Sequence, residues 1–297
     1  MTQGQNPLSA ALWMLGAVFG FSALAVSGRQ VSNGLDTFEI MTYRSAIGVI
    51  TTVIIAYATR QVKDLEPKAL HLHLGRNLFH FAGQNLWLLA LTLIPLAQLF
   101  ALEFIYPILV GLGAAIVFGE RITPARAVSF LCGFIGILIV ARPFGSAGLS
   151  IGLLAALACA VGFAGSALFT KKLTQTAHVT LLSILFYLSM MQLVMGIICA
   201  GFDGEIRWPQ DQAWPWICAV CFAGLGAHFC LSKALSLAPA SVVTPIDFMR
   251  LPLIAVIGMF FYNEQIDIYV FIGAFVIFSS NYINILYENR ARHRLPR

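Results

Sequence analysis

Residues 90–122 read ALTLIPLAQLFALEFIYPILVGLGAAIVFGERI, and residues 234–266 read ALSLAPASVVTPIDFMRLPLIAVIGMFFYNEQI. Laid over one another without a gap, at a shift of 144 residues, they set Ala90, Leu91, Leu93 and Pro95 on Ala234, Leu235, Leu237 and Pro239. Glu103, Phe104, Glu120 and Ile122 then meet Asp247, Phe248, Glu264 and Ile266. Apolar coincidences are cheap in a hydrophobic chain, but a shared proline and two shared acidic positions in one register are not. The chain therefore reads as an internal duplication. Outward from this stretch the same shift sets Phe19, Ser22, Ala23 and Leu24 on Phe163, Ser166, Ala167 and Leu168, and Tyr43 and Ser45 on Tyr187 and Ser189.

The duplicated sequence is that of an integral membrane protein. Of 297 residues, 59% are hydrophobic and 10% charged, with a mean hydropathy of +0.83, whereas about a quarter of a soluble domain is charged. The net charge of +5 is too small an excess to point to nucleic acid, and the 25 glycines sit inside apolar stretches. A bilayer core needs about 20 apolar residues at about 1.5 Å each. Ten helical spans fit: Leu8 to Ser27, Phe38 to Thr59, Leu74 to Leu93, Pro95 to Phe118, Pro124 to Ala141, Leu149 to Thr170, Thr180 to Gly201, Trp214 to Leu235, Ala240 to Tyr262 and Ile266 to Tyr287. Asp36 with Glu39 has the form of a capping box, and Pro95 and Pro124 suit first-turn positions, where a missing N–H is harmless.

Lysine and arginine accumulate on the cytoplasmic side of membrane proteins. With the N-terminus inside, that side holds twelve: Arg60, Lys63, Lys68, Arg76, Arg121, Arg126, Lys171, Lys172, Arg290, Arg292, Arg294 and Arg297. The outside holds Arg29, Arg142 and Arg207, leaving Arg44, Lys233 and Arg250 within spans. Both termini are thus expected in the cytoplasm. Each half, 1–143 and 144–297, has five spans, and an odd number forces the second half into the membrane upside down. Loop charge agrees: Arg60, Lys63 and Lys68 lie inside, whereas the equivalent loop after span seven carries Asp203, Glu205 and Asp211 around Arg207. Inverted-topology repeats are the architecture of many secondary transporters, with a site between the halves that opens to either side in turn. The first span aligns with an internal one, which argues against a cleaved signal peptide. The six cysteines all fall in spans; Cys218 with Cys221 is the closest pair and lacks the second pair or histidine spacing of a zinc site.

With the repeat in place, the sequence resembles the drug/metabolite transporter superfamily, EamA type. The resemblance rests on two apolar-Pro segments leading to a terminal Glu: Leu91-Thr92-Leu93-Ile94-Pro95 to Gly119-Glu120-Arg121, and Leu235-Ser236-Leu237-Ala238-Pro239 to Asn263-Glu264. Tyr43-Arg44-Ser45, Arg76 at the start of span three, and Gly133-Phe134-Ile135-Gly136 followed by Arg142-Pro143 are also similar. Asn263 departs from the glycine usual before the second Glu. The resemblance implies an all-α fold of ten helices in two inverted five-helix repeats, in a bacterial cytoplasmic membrane. It also implies a central cavity lined by spans one, three, four, six, eight and nine. Members so implied export amino acids and other metabolites, while some take up riboflavin or S-adenosylmethionine.

Ionisable groups inside a membrane are costly unless they face protein or water, and so mark candidate sites. Five stand out: Arg44, Glu103, Lys233, Asp247 and Arg250. Arg44 and Glu103 each lie about seven residues, or roughly 10 Å, in from the outer start of their spans, and an ion pair between them is one expectation. Glu103 and Asp247 occupy symmetry-related depths, as gating contacts, proton carriers or cargo ligands. Glu103 and Tyr106 share a helix face, as do Thr244, Asp247 and Arg250. Span three carries Arg76, His80, Gln84 and Trp87 on one face, a stripe that lipid would reject and that is expected to border water. Gln84 aligns with His228, which with Ser232 gives span eight a weaker polar face. Trp13, Ser22 and Ser166 are weaker candidates, since Trp also anchors interfaces and Ser also packs helices. Glu120 and Glu264 suit helix-end and loop contacts rather than cargo.

These residues suit a zwitterionic or anionic organic solute, such as an amino acid, with no cofactor or metal and with protons as an optional partner. A membrane enzyme acting on lipids is the alternative of another class, but clustered aspartates or a nucleophile with a nearby base are not evident. His71 and His73, at a basic helix end, read as solvated or as lipid-headgroup contacts. A ten-helix bundle with its own cavity is able to work as a monomer, and the sequence leaves the oligomeric state open.

Overall fold

The structure is a computed structural model that describes residues 7–119, 122–142, 149–176, 179–202, 204–238 and 240–294. Glu120, Arg121, Pro143, Asp203, Pro239 and Arg297 lie outside these, as do the side chains of Thr244, Arg290, Arg292 and Arg294. The described residues form helices joined by short links, without a strand. The helices are α1 (Pro7–Val31), α2 (Thr37–Ala58), α3 (Leu70–Leu93), α4 (Leu96–Glu103), α5 (Tyr106–Phe118), α6 (Pro124–Ala141), α7 (Ile151–Gln175), α8 (Leu181–Ala200), α9 (Trp214–Leu237), α10 (Ala240–Asp247), α11 (Arg250–Tyr262) and α12 (Ile268–Arg294). Eight segments are long and apolar enough to cross a bilayer. The helices α3, with its polar stripe, and α6, at 18 residues, pack alongside them.

Local chemistry sets most of the ends. The capping box at α2 is complete: Glu39 N–H donates to Asp36 Oδ1 at 2.8 Å and Asp36 N–H to Glu39 Oε2 at 2.9 Å. Thr123, Ser150 and Thr180 each accept the third backbone N–H of the helix they start. Pro124 opens α6, whereas Pro95 sits one residue earlier than expected, at the N-cap of α4.

Two spans read as continuous from their apolar runs are broken at matching depths. α4 stops at Glu103 and α5 starts at Tyr106; α10 stops at Asp247 and α11 starts at Arg250. The cause is proline. Pro107 and Pro252 have no N–H for the carbonyls of Glu103 and Phe248, four residues back, and their rings crowd those carbonyls. The freed Phe248 O accepts Leu251 N–H at 3.1 Å, and in the first break Asn281 Nδ2 donates to the neighbouring Phe104 O at 2.9 Å. Beyond the breaks, α5 and α11 end alike, on Gly119 at φ +65° and Asn263 at φ +53°. Asparagine is the residue after glycine that best tolerates this left-handed cap, which accounts for Asn263 in the glycine's place.

The helices pack in matched pairs: α1 against α9, α3 against α7, α2 against α8 and α6 against α12. Small residues allow the approach. A Cβ on Gly162 would lie 2.8 Å from Gly83 Cα, and one on Gly136 2.9 Å from Gly273 O. Ser129 Oγ donates to Ser280 O at 2.8 Å. The shift of 144 exchanges the pairs Gly136 with Gly273 and Ser129 with Ser280.

Candidate functional site

Each helix break places an acid before it and a polar residue after it: Glu103 and Tyr106 in the first half, Asp247 and Arg250 in the second. Arg250 joins them. Its Nη1 lies 3.4 Å from Glu103 Oε1 and its Nη2 3.5 Å from Asp247 Oδ2. Glu103 Oε2 accepts from Trp87 Nε1 at 3.0 Å. The guanidinium carbon lies 4.9, 5.1 and 5.3 Å from the ring centres of Phe21, Phe100 and Phe104, so aromatic faces from α1, α4 and the break hold the cation. Tyr106 lies within electrostatic reach of Glu103, Asp247 and Arg76.

The stripe on α3 is buried along its length: Arg76, His80, Gln84 and Trp87 are each less than a tenth exposed. Arg76 donates through Nε to Thr170 Oγ1 at 3.0 Å and through Nη1 to Asn77 Oδ1 at 3.1 Å. Gln192 Nε2 lies 2.8 Å from His80 Nδ1, within hydrogen-bonding distance. His228 packs edge-on to Phe21 at 5.3 Å, with its ring centre 6.0 Å from that of His80. Both imidazoles are within electrostatic reach of Arg44 and Arg76. Spans one, three, four, six, eight and nine thus meet here through Phe21, His80, Glu103, Thr170, His228 and Arg250.

Other expectations need correction. Arg44 does not pair with Glu103, because α2 packs on α8, α9 and α3, where Arg44 comes near Cys221, while Glu103 is taken by Trp87 and Arg250. Lys233 is exposed, as expected of a long side chain reaching out from a helix end. His73 is fully buried rather than solvated, its ring 4.6 Å from that of Tyr187; His71 is exposed. Trp13 is 37% exposed against Phe229, away from the cluster. Ser22 Oγ donates to Val18 O at 2.8 Å within its own helix, and Ser232 Oγ to His228 O at 2.7 Å. Ser166 is buried one turn before Thr170. For Thr244 only the backbone is described. Two open surface depressions, of ≈410 and ≈460 Å³, lie against α12.

Gln192, Asn77, Thr170 and the three phenylalanines around Arg250 were not singled out from the sequence. The shift sets Gln192 on Gly48, so the repeat is silent about it. Its signal is cost: an amide with no exposure, amid the apolar residues of α8.

A second cluster ties the ends of the halves. Arg29 donates through Nε to Leu91 O at 2.6 Å and through Nη2 to Ile94 O at 2.7 Å, and pairs through Nη1 with Glu264. Glu264 also accepts Leu96 N–H at 2.9 Å. On the same face Arg142 pairs with Asp267, and Tyr43 donates to Arg207 O at 2.6 Å. Tyr187 makes the equivalent bond on the other face, to Leu65 O at 2.9 Å.

A helical bundle of membrane-spanning segments, with charges buried where two spans break, is a polytopic transport-type fold. The chain belongs to the EamA-like transporter family, whose model it matches over residues 8–142 and again over 150–286. It is 27% identical to a riboflavin transporter of Brucella anthropi, over 90% of this chain and 95% of that one. With an S-adenosylmethionine uptake transporter of Rickettsia prowazekii it shares 24% identity over 96% and 95% of the two chains. A pseudopaline exporter of Pseudomonas aeruginosa is 26% identical over 91% and 93%. A solved crystal structure at 20% identity superposes with a TM-score of 0.63 over 95% of this chain and 98% of that one, which shows a shared fold.

Proposed function

We propose that this transporter carries a small charged organic solute, an amino acid or a related zwitterion or anion, across the bacterial cytoplasmic membrane by alternating access. The moving units are two inverted halves, 1–143 and 144–297, with both termini in the cytoplasm. The observation that carries the reading is the Arg250 bridge at the breaks of both fourth spans, which reaches Glu103 across the halves at 3.4 Å and Asp247 within the second half at 3.5 Å. A solute with charges of its own competes for these partners. The exchange of packing pairs under the repeat shift supports the two-fold relation of the halves, because a duplicated fold repeats each contact across its pseudo-two-fold axis.

Uptake of riboflavin or S-adenosylmethionine is a second reading, favoured by the names of two relatives that span almost the whole chain. All the relatives named above are transporters, which weighs against a lipid-modifying enzyme. The test is uptake of pooled amino acids, riboflavin, S-adenosylmethionine and related metabolites into liposomes holding the purified protein, with and without a pH gradient. Accumulation that requires the gradient indicates proton coupling, and equilibration regardless of it a facilitator. If nothing in the pool enters, either the cargo lies outside the pool or the transport reading fails, and the enzyme alternative gains weight.

A further inference from the structure

Buried polar atoms without a partner call for one from water, an ion or a bound solute. Among the described residues, four such atoms belong to the central cluster: the donors Arg44 Nη1 and Arg250 Nε, and the acceptors Gln192 Oε1 and Asp247 Oδ1. Arg250 and Asp247 offset one another at 3.5 Å, and the Gln192 amide is engaged by His80 at 2.8 Å. Arg44 has no such compensation. It is 7% exposed, its electrostatic neighbours are Cys221 and the imidazoles of His80 and His228, and both carboxylates of the cluster are held by Arg250. Arg76 bonds only to neutral partners, Thr170 and Asn77. The cluster thus sets three guanidiniums against two carboxylates, and the excess positive charge lies on the Arg44 side.

A buried cation without a counter-charge is costly, and its guanidinium fork fits a carboxylate through two parallel bonds. We propose that Arg44 is the docking point for a carboxylate of the solute. Gln192 Oε1 faces its polar substituents, and Asp247 Oδ1 faces an ammonium where the solute has one. This rests on the transport reading and narrows it to carboxylic acids, excluding a solute recognised as a neutral molecule.

The test compares wild type with Arg44→Met and Arg44→Lys, by thermal unfolding in detergent and by uptake into liposomes. The probes are pooled amino acids and organic acids, each beside its carboxamide, together with riboflavin. In the wild type an acid raises the melting midpoint and its amide does not. Arg44→Met is expected to raise the midpoint of the solute-free protein, by removing an uncompensated charge, while cutting the preference for acid over amide about tenfold or more. Arg44→Lys is expected to keep part of that preference. A merely structural Arg44 gives the opposite result, with Arg44→Met less stable without solute, and overturns the proposal. It is equally overturned if no acid stabilises the wild type, or if acid and amide stabilise it equally. Riboflavin uptake indifferent to Arg44 removes the proposal and leaves transport standing. Arg44-dependent stabilisation by an acid that never enters liposomes upholds the carboxylate site and removes the transport reading.

Discussion

Glu103 holds two buried donors at once, the Trp87 indole at 3.0 Å and Arg250 at 3.4 Å. Removing one partner of a buried ion pair typically costs about 3–5 kcal/mol, because the remaining charge stays buried. Asp247 remains beside Arg250 in this case, and the Glu103 side chain retains 16% exposure, so the expected cost is smaller. Glu103→Ala is expected to destabilise by about 2–3 kcal/mol, with the unpaired indole contributing about 1 kcal/mol of it. Glu103→Gln, which keeps an acceptor for the indole, loses less. Thermal unfolding of the two variants and of Trp87→Phe decides the matter, since equal losses for Ala and Gln would show that the indole bond contributes nothing.

At the scale of elements, the glycines separate into those that set helix distances and those that do not. Gly162 on α7 faces backbone: an added Cβ meets Gly83 Cα at 2.8 Å and Phe79 O at 2.9 Å, neither of which can rotate away. Gly162→Ala must therefore push α3 from α7 and shift the stripe from Arg76 to Trp87, for a loss of about 1–3 kcal/mol and most of the uptake. Gly226 on α9 has nothing within 4 Å of its built Cβ. There alanine only improves helix propensity, so Gly226→Ala is expected to be neutral or stabilising by up to about 1 kcal/mol. The pair is measured side by side in detergent melts and liposome uptake, and similar losses at both positions would refute the assignment.

For the whole molecule, the contacts around Arg29 and Glu264 close one face, the one expected outside from loop charge. They join the end of α1 and the turn into α4 to the turn between α11 and α12. Alternating access requires such ties to form and break with the state of the protein. Arg29→Met is expected to move the population toward the state open on that face. In a cysteine-free background, Ile94→Cys, buried beneath Arg29, should then react with a membrane-impermeant maleimide about tenfold faster from outside, equivalent to a shift of about 1.4 kcal/mol. Unchanged labelling would make the cluster a static brace.

Much of this architecture is legible in the amino-acid sequence. The capping box of Asp36 and Glu39 and the end of α6 at Ala141 follow from short-range rules: an acceptor three residues before an N–H, and an apolar run of fixed length. That Arg76, His80, Gln84 and Trp87 share one face is equally local, but the sequence pointed to water along it, and the structure buries it against protein partners instead. The breaks at Pro107 and Pro252 are also written in the chain, but the apolar runs around them mask the lost hydrogen bond. Which charge meets which is not legible. Arg44 and Glu103 share a depth, yet their helices do not pack as a pair, and Arg250 reaches Glu103 from 147 residues away only because α11 packs on α4. Gln192 offers no sequence partner for His80 until α8 lies beside α3. By itself the sequence determined the helices, their caps and the membrane as solvent, because these depend on spacing along one chain. The partners of its buried charges depend on which helices touch, and only the tertiary packing decided that.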